Sequence, residues 1–467
     1  MSALSQPAKA SPRAVLVIVC AGVVLASLDL FIVNVALPQI SRDLHSHGLA
    51  DLSWVLNGYA IVYAALLVLA GRVADRHRRK YGFLLGVAVF TVASAACGAA
   101  TSVGMLVAFR LVQAAGAALL TPASLSLVLA AFPTERRHGA VRAWTATGGA
   151  AAALGPVVGG LLVAASWRWV FLVNVPIGLA ALILGWRRLP EAPGHPIRRP
   201  GVVGSLLVTL GVGALTLALV KGGDWGWGAA STLTLLCGAA IALALFVADC
   251  ERSANPLIDP ALFRVRAFSG ASLIALLFMA AFGAMLLSIV LWDQEVWGWS
   301  ALRTGLAVAP GPLMVPLFGF VLTGPLIARF GPGPVIGVGS TAFAAGAVWW
   351  ALAIGVHPNY ASGMLGGMLL SGIGVGLTLP TFMATGTSSL PAPSFATGSA
   401  VVNMLRQVGL AIGVAVLVAV IGTPSAAHRL AAFQHGWYVI AVFALLAAAA
   451  SLLLRRRVPA AALAVAR

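Results

Sequence analysis

AVLVIVCAGVVLASLDLFIVNVALP, residues 14–38, decides the class of this chain: a long apolar run with one charged side chain, Asp29. As a helix rising 1.5 Å per residue it extends about 37 Å, enough to cross the ~30 Å hydrocarbon core of a bilayer. Comparable runs recur at about 52–71, 81–101, 104–131, 139–164, 168–186, 202–221, 230–249, 267–292, 302–328, 333–355, 360–388, 397–421 and 434–454. Over 467 residues, 60% are hydrophobic and 9% charged, with a mean hydropathy of +1.00. A soluble domain carries roughly 25% charged residues, so no soluble fold of this length could cover its surface. In lipid every backbone polar group must be paired internally, and runs this long leave only helices. The expectation is an all-α membrane protein with 14 transmembrane helices. Its first span is expected to stay in the chain, being too long for a cleaved leader.

The net charge of +17 suggests a nucleic-acid partner until the basic residues are placed. With the N-terminus in the cytoplasm, 22 of the 29 Lys and Arg side chains fall in inner segments and five in outer ones; Arg110 and Arg406 lie within spans. That is the positive-inside rule, and an even number of spans places both termini in the cytoplasm. The charge orients the protein and requires no nucleic acid. Arg outnumbers Lys 26 to 3, a GC-rich bacterial bias. The expected setting is a bacterial inner membrane, with the chain a multi-pass monomer. Cys20, Cys97, Cys237 and Cys250 have no metal-ligand spacing, and the eight His residues fall in loops or at span ends. No cofactor or metal is expected. No HExxH, paired intramembrane aspartates or phosphate-cradling GxxxxGK[ST] loop is present, which argues against an enzyme and against ATP drive.

An internal repeat organises the spans. Gly71-x-Val73-x-x-Arg76 matches Gly324-x-Leu326-x-x-Arg329; Gly116…Pro122 matches Gly374…Pro380; Gly155…Gly159 matches Gly409…Gly413. Corresponding spans lie eight apart, so two six-helix halves flank a two-helix insert at about 201–250. The proline-rich connector Leu189–Pro200 precedes that insert. The domain reading is 1–190 for the N-terminal bundle, 191–260 for the linker and inserted helices, and 261–467 for the C-terminal bundle. Transporters are commonly built from such repeats, with their site between the halves.

Five stretches carry a family resemblance. Span one holds Leu28-Asp29-Leu30-Phe31-Ile32-Val33-Asn34-Val35-Ala36-Leu37-Pro38. The loop after span two reads Gly71-Arg72-Val73-Ala74-Asp75-Arg76-His77-Arg78-Arg79-Lys80. Span four holds Arg110-Leu111-Val112-Gln113-Ala114-Ala115-Gly116, and span five Gly155-Pro156-Val157-Val158-Gly159-Gly160. Span six opens with Trp167-Arg168-Trp169-Val170-Phe171-Leu172-Val173-Asn174-Val175-Pro176-Ile177-Gly178. Together, and in this order, they resemble the fourteen-helix drug:proton antiporters of the major facilitator superfamily. The resemblance implies two pseudo-symmetric bundles and export of small molecules against protons. It also implies an inner gate at Asp75, Arg76 and Arg79, and an antiporter motif at Gly155, Pro156 and Gly159.

The residues themselves single out Asp29, the one acid well inside a predicted span, where a charge costs roughly 2.5–3.5 kcal/mol on insertion scales. Counting helical rise places Asp29 and Arg110 at matching depths, about 8 and 9 Å from the outer edge of the core. They can pair, and a conformational change that alters their separation would load or release a proton; the alternative is a fixed contact that holds helices together. Pro156 lacks a donor and can supply a bend in span five. Arg406 and Gln407 lie too deep in span thirteen to be simple anchors. With Asn34, Asn57, Tyr63, Gln113 and Asn403 they make up the expected substrate cavity. Trp54, Asn57, Tyr59 and Tyr63, at the start of span two, also suit an interfacial aromatic belt. Asp293 and Glu295, at the outer end of span nine, are expected to be solvated, and they stand as the runner-up acids to Asp29 for carrying a proton. The functional expectation is proton-coupled export of small lipophilic molecules, with a proton-coupled importer or uniporter as the alternative and a polytopic membrane enzyme behind both.

Overall fold

The computed structural model describes residues 11–46, 48–76, 79–191, 202–253, 256–390 and 395–454. All regular structure among them is helical. The helices are α1 (Pro12–Asp43), α2 (Leu49–Arg76), α3 (Arg79–Gly98), α4 (Val103–Ala131), α5 (Thr134–Ala165), α6 (Trp169–Leu172), α7 (Asn174–Arg188), α8 (Val202–Trp225) and α9 (Ala230–Arg252). They continue as α10 (Arg266–Leu291), α11 (Ala301–Val308), α12 (Pro310–Pro316), α13 (Thr323–Phe330), α14 (Pro332–Ala353), α15 (Leu365–Ser388), α16 (Phe395–Ile421) and α17 (Arg429–Ala450). Each predicted span coincides with one helix or a run of short ones. Thirteen spans among the described residues are long and apolar enough to cross a membrane. The predicted span at 139–164 falls in α5, whose apolar part among the described residues is Leu154–Ala165.

Where the sequence crowds helix breakers, the helices break. Pro310, Pro312, Pro316 and Gly319 divide the tenth predicted span into α11, α12, a π-helical turn at Leu317–Leu322, and α13. Each proline removes one ladder donor and crowds the carbonyl four residues back. A second π-helical turn, Trp292–Val296, extends α10 and a third, Tyr360–Met364, precedes α15. By contrast α5 runs unbroken through Pro156.

The chain packs as two compact units, Met1–Ile258 with Val290–Ala309, and Asp259–Ile289 with Pro310–Arg467. In the first, α3 and α4 touch backbone to backbone: a Cβ at Gly86 would sit 2.6 Å from the Leu120 amide nitrogen, and one at Gly116 2.6 Å from that of Phe90. Small residues at such crossings replace the hydrophobic drive that lipid cannot provide. α1 crosses α5 at Gly155, where a Cβ would meet Phe31 Cβ at 2.8 Å, and at Gly159, where it would meet the Ile32 carbonyl at 3.0 Å. α8 lies on α2, with Ser205 Oγ donating to the Ala65 carbonyl at 2.6 Å and Lys221 paired with Asp51 at 2.5 Å.

The second unit repeats two of these crossings with the repeat-related glycines. Gly374 of α15 meets α14, a Cβ there lying 2.7 Å from the Gly339 carbonyl, as Gly116 meets α3. Gly409 and Gly413 of α16 press on the carbonyls of Leu276 and Ala280 in α10, as Gly155 and Gly159 press on α1. The glycine repeat in the sequence is therefore a repeat of helix contacts. Substituting Gly413→Val is expected to destabilise the protein by about 1–3 kcal/mol through overpacking. Gly238→Ala in α9, where nothing lies within 4 Å of the added methyl, should leave the unfolding temperature of detergent-purified protein unchanged or raised.

Candidate functional site

Asp29 is fully buried in α1, and its carboxylate is the acceptor around which five helices of the first unit converge. Arg110 Nη1 of α4 forms an ion pair with its Oδ2. Gln113 Nε2, also on α4, donates to its Oδ1 at 2.9 Å, and Asn174 Nδ2 of α7 donates to the same oxygen at 3.2 Å. Residues three apart share a helix face, which is why Arg110 and Gln113 arrive together. Ser94 of α3 ties the donors to each other: its Oγ accepts from Gln113 Nε2 at 3.1 Å and from Asn174 Nδ2 at 3.0 Å, and donates to the Phe171 carbonyl at 2.9 Å.

Arg110 is held on every side. Its Nε donates to the Val55 carbonyl of α2 at 3.2 Å and its Nη1 to Gln113 Oε1 at 2.8 Å. The guanidinium lies 4.1 Å from the centroid of the Tyr59 ring, a cation–π contact, and Tyr59 stacks on Tyr63 at 5.9 Å. A planar cation suits this site where a lysine ammonium would not, because three directions of contact are used at once. Two polar atoms in the network, Arg110 Nη2 and Asn174 Oδ1, have no hydrogen-bond partner. The network thus retains spare donor capacity on Arg110 and a spare acceptor on Asn174.

The structure also places the other residues singled out from sequence. Asn34 is 7% exposed and bonds its own helix at the Leu30 carbonyl, 3.3 Å away. Tyr63 Oη donates to Thr121 Oγ1 at 3.2 Å. Asn57 is fully buried with neither side-chain polar atom partnered. The aromatic-belt reading of this stretch is therefore corrected: Tyr59, at 1% exposure, faces the arginine and not a lipid headgroup. Asn403, Arg406 and Gln407 belong to the second unit. There Arg406 Nη1 donates to Asn403 Oδ1 at 2.9 Å, and Gln407 is 6% exposed with its Oε1 unpartnered. The expected inner-gate loop is shorter than its motif, since α2 continues to Arg76 and α3 begins at Arg79. Arg79 is half-buried, whereas the side chains of Asp75 and Arg76 lie outside the described residues.

Gly155, Pro156 and Gly159 form a seam on α5. One side receives α1, as above; the other receives α11, with a Cβ at Gly160 lying 2.6 Å from the Ala301 carbonyl and Gly305 pressed on the carbonyl of Pro156. Any bend at Pro156 must therefore move both neighbours.

Sequence reasoning missed Asn174, Ser94 and the role of Tyr59. Asn174 stood inside a quoted motif, and its position after Trp167-Arg168 was the available signal. Arg168 of that motif donates to the Ala100 carbonyl at 3.0 Å, and Trp167 Nε1 donates to Asp43 at 2.9 Å, which pins α7 in place. Ser94 offered no signal, because one serine in an apolar helix usually bonds its own backbone. Asp293 is a further correction. Glu295 is exposed as expected, but Asp293 is fully buried on the π-helical turn, so Asp29 is not the one buried acid.

The family model of the Major Facilitator Superfamily matches residues 19–414. The chain is 35% identical to a tetracenomycin C resistance and export protein of Streptomyces glaucescens, over 87% of this chain and 75% of that one. It is 34% identical to a methylenomycin A resistance protein of Bacillus subtilis, over 92% and 90% of the two chains. It is 35% identical to a cephamycin export protein of Amycolatopsis lactamdurans, again over 92% and 90%. Among solved structures, the POT family transporter PepTSo superposes with a TM-score of 0.67 at 17% identity, covering 95% of this chain and 97% of that one, a likeness of fold.

The network sets a stability test. Arg110→Met leaves the Asp29 carboxylate buried without its cation and should cost about 3–5 kcal/mol. Adding Asp29→Asn to that variant should recover most of the loss, because the uncompensated charge is then gone. Thermal unfolding of the purified single and double variants measures both.

Proposed function

The chain belongs to the Major Facilitator Superfamily, and from that membership we propose that it exports small lipophilic molecules, antibiotics among them, in exchange for protons by alternating access. The observation that carries this reading is Asp29, fully buried and paired with Arg110 at the meeting point of five helices. The resistance and export relatives support the direction of transport and the class of cargo.

A proton taken up by Asp29 removes the charge that holds Arg110. The guanidinium keeps its bonds to Gln113 Oε1 and the Val55 carbonyl, at 2.8 and 3.2 Å, and the α1–α4 contact loosens. Loss of the proton restores the ion pair. Movement of α1 reaches α5 at Gly155 and Gly159, and Pro156 is the point where α5 can bend. Asp75, Arg76 and Arg79 close the cytoplasmic side in this scheme. Asn34, Asn57, Tyr63, Gln113, Asn403, Arg406 and Gln407 offer polar groups to cargo. Energetically, one charge moved through ~100 mV gains ~2.3 kcal/mol, enough to sustain roughly a fifty-fold gradient.

We read the chain as a monomer in the bacterial plasma membrane with both termini cytoplasmic. Residues 1–190 and 261–467 form the two bundles, and 191–260 the linker and inserted helices. No catalytic step and no cofactor enter the scheme.

Asp29→Asn is expected to abolish uphill export while the protein remains folded and inserted. Expression in an efflux-deficient bacterium, scored against a panel of dyes and antibiotics with and without a protonophore, reads this directly. Full resistance from Asp29→Asn, or resistance untouched by the protonophore, would reject proton exchange at this site.

A further inference from the structure

The second buried acid has no place in the scheme above. Asp293 lies on the π-helical turn Trp292–Val296, at 0% exposure, and neither carboxylate oxygen has a hydrogen-bond partner. A buried ionisable group is ordinarily paired, because an isolated charge in an apolar interior is too costly to keep. π-Helical turns are rare and concentrate at functional sites, where the extra residue re-aims a side chain. Here the turn puts Asp293 inside and Glu295 outside. Two independent features thus distinguish this position: an unsatisfied carboxyl group and the backbone distortion that buries it.

We propose that Asp293 is a second proton-carrying carboxylate of the transport cycle, relieved of its proton when Arg303 swings onto it. Arg303 of α11 is close enough for its charge to act on Asp293. In this conformation its guanidinium does not bond the acid; it lies 4.2 Å from the centroid of the Trp299 ring. The other charged groups on the neighbouring elements are engaged or turned away. On α1, Asp29 is bound to Arg110 and Asp43 accepts from Trp167, while Arg42 is exposed. Glu295 points outward, and α10 carries no charge beyond Arg266 at its far end. In the step, the O–H bond of the Asp293 carboxyl breaks, the proton passes to water, and the carboxylate left behind is taken by the Arg303 guanidinium. Reprotonation returns Arg303 to Trp299.

The position couples Asp293 to the first site. Gln294, the next residue, donates through Nε2 to the Val35 carbonyl of α1 at 3.0 Å, on the helix that carries Asp29. Arg303 stands between Ala301, on which Gly160 presses, and Gly305, which meets Pro156. A bend of α5 at Pro156 therefore displaces the segment that holds Arg303. The exchange proposed above then moves two protons, one at each acid.

The inference rests on the proton-exchange reading, so the experiment separates the two. Infrared difference spectra of the purified full-length protein, recorded across pH, read protonated carboxyl groups directly and need no cargo. A protonated-carboxyl band that is present in the wild type, persists in Asp29→Asn and disappears in Asp293→Asn supports the proposal. Arg303→Gln should retain that band to higher pH than the wild type, and it serves as the second variant should Asp293→Asn fail to fold. In proteoliposomes loaded with ethidium as probe, Asp293→Asn should lower the proton-to-ethidium ratio by one, whereas Asp29→Asn should stop uphill movement. If no band depends on Asp293 or on Arg303 at any pH, the proposal falls, and ethidium export that still requires Asp29 leaves the function intact. Should the Asp293 band titrate while ethidium export ignores both acids, proton exchange is the reading that fails, and this inference with it.

Discussion

An ion pair in the dry interior of a helix bundle is the constraint on which the rest of the first unit depends. Neither Asp29 nor Arg110 reaches solvent, and the Asp29 carboxylate could not stay charged there without the arginine except at a cost of about 3–5 kcal/mol. Each helix around them supplies something the pair needs. α3 and α7 bring Ser94 and Asn174 to hold the donors in place, α2 brings a carbonyl and an aromatic face, and α4 brings Gln113 beside the arginine. A cluster satisfied by contributions from so many helices can be re-paired by a change at one atom. In the exchange proposed above, that is the route by which a proton biases the packing of whole helices.

Helices in lipid gain little from burying one apolar surface against another, so their contacts depend on shape. The glycine crossings let backbones approach to distances that any side chain would forbid, and both units use them at equivalent helix pairs. The same lack of side chains lets two helices slide without climbing over one another. On α5 the smooth face is interrupted by Pro156, which gives that helix a weak point between two tightly packed neighbours. Tight contact and a missing ladder donor therefore lie within five residues of each other, which suits the alternating access proposed above.

The acids show how burial, more than residue type, assigns a chemical role. Asp29 and Asp293 are both fully enclosed, yet the carboxylate of one accepts from three side chains and that of the other has no hydrogen-bond partner. In the two-proton exchange proposed above, such different settings give the two carboxyl groups successive steps in one cycle.

Much of this was legible in the amino-acid order. Apolar runs of membrane-spanning length leave helix as the one solution, so the spans could be read directly. Repeated glycine spacings marked which helices correspond. The depth of Asp29 and Arg110 followed from counting residues along two antiparallel spans, since helical rise is constant. Lateral position could not be read the same way. Tyr59 resembled an interfacial aromatic, and only packing placed its ring beneath a guanidinium; Asn174 and Ser94 became donors and ties because α3 and α7 converge on α1. Asp293 was misjudged because a π-helical turn changes the facing of a residue without changing its place in the sequence. Rise along a helix is a property of the local backbone, which the sequence determines by itself. Which side chains meet across helices depends on the simultaneous fit of many surfaces, and that only the tertiary structure decides.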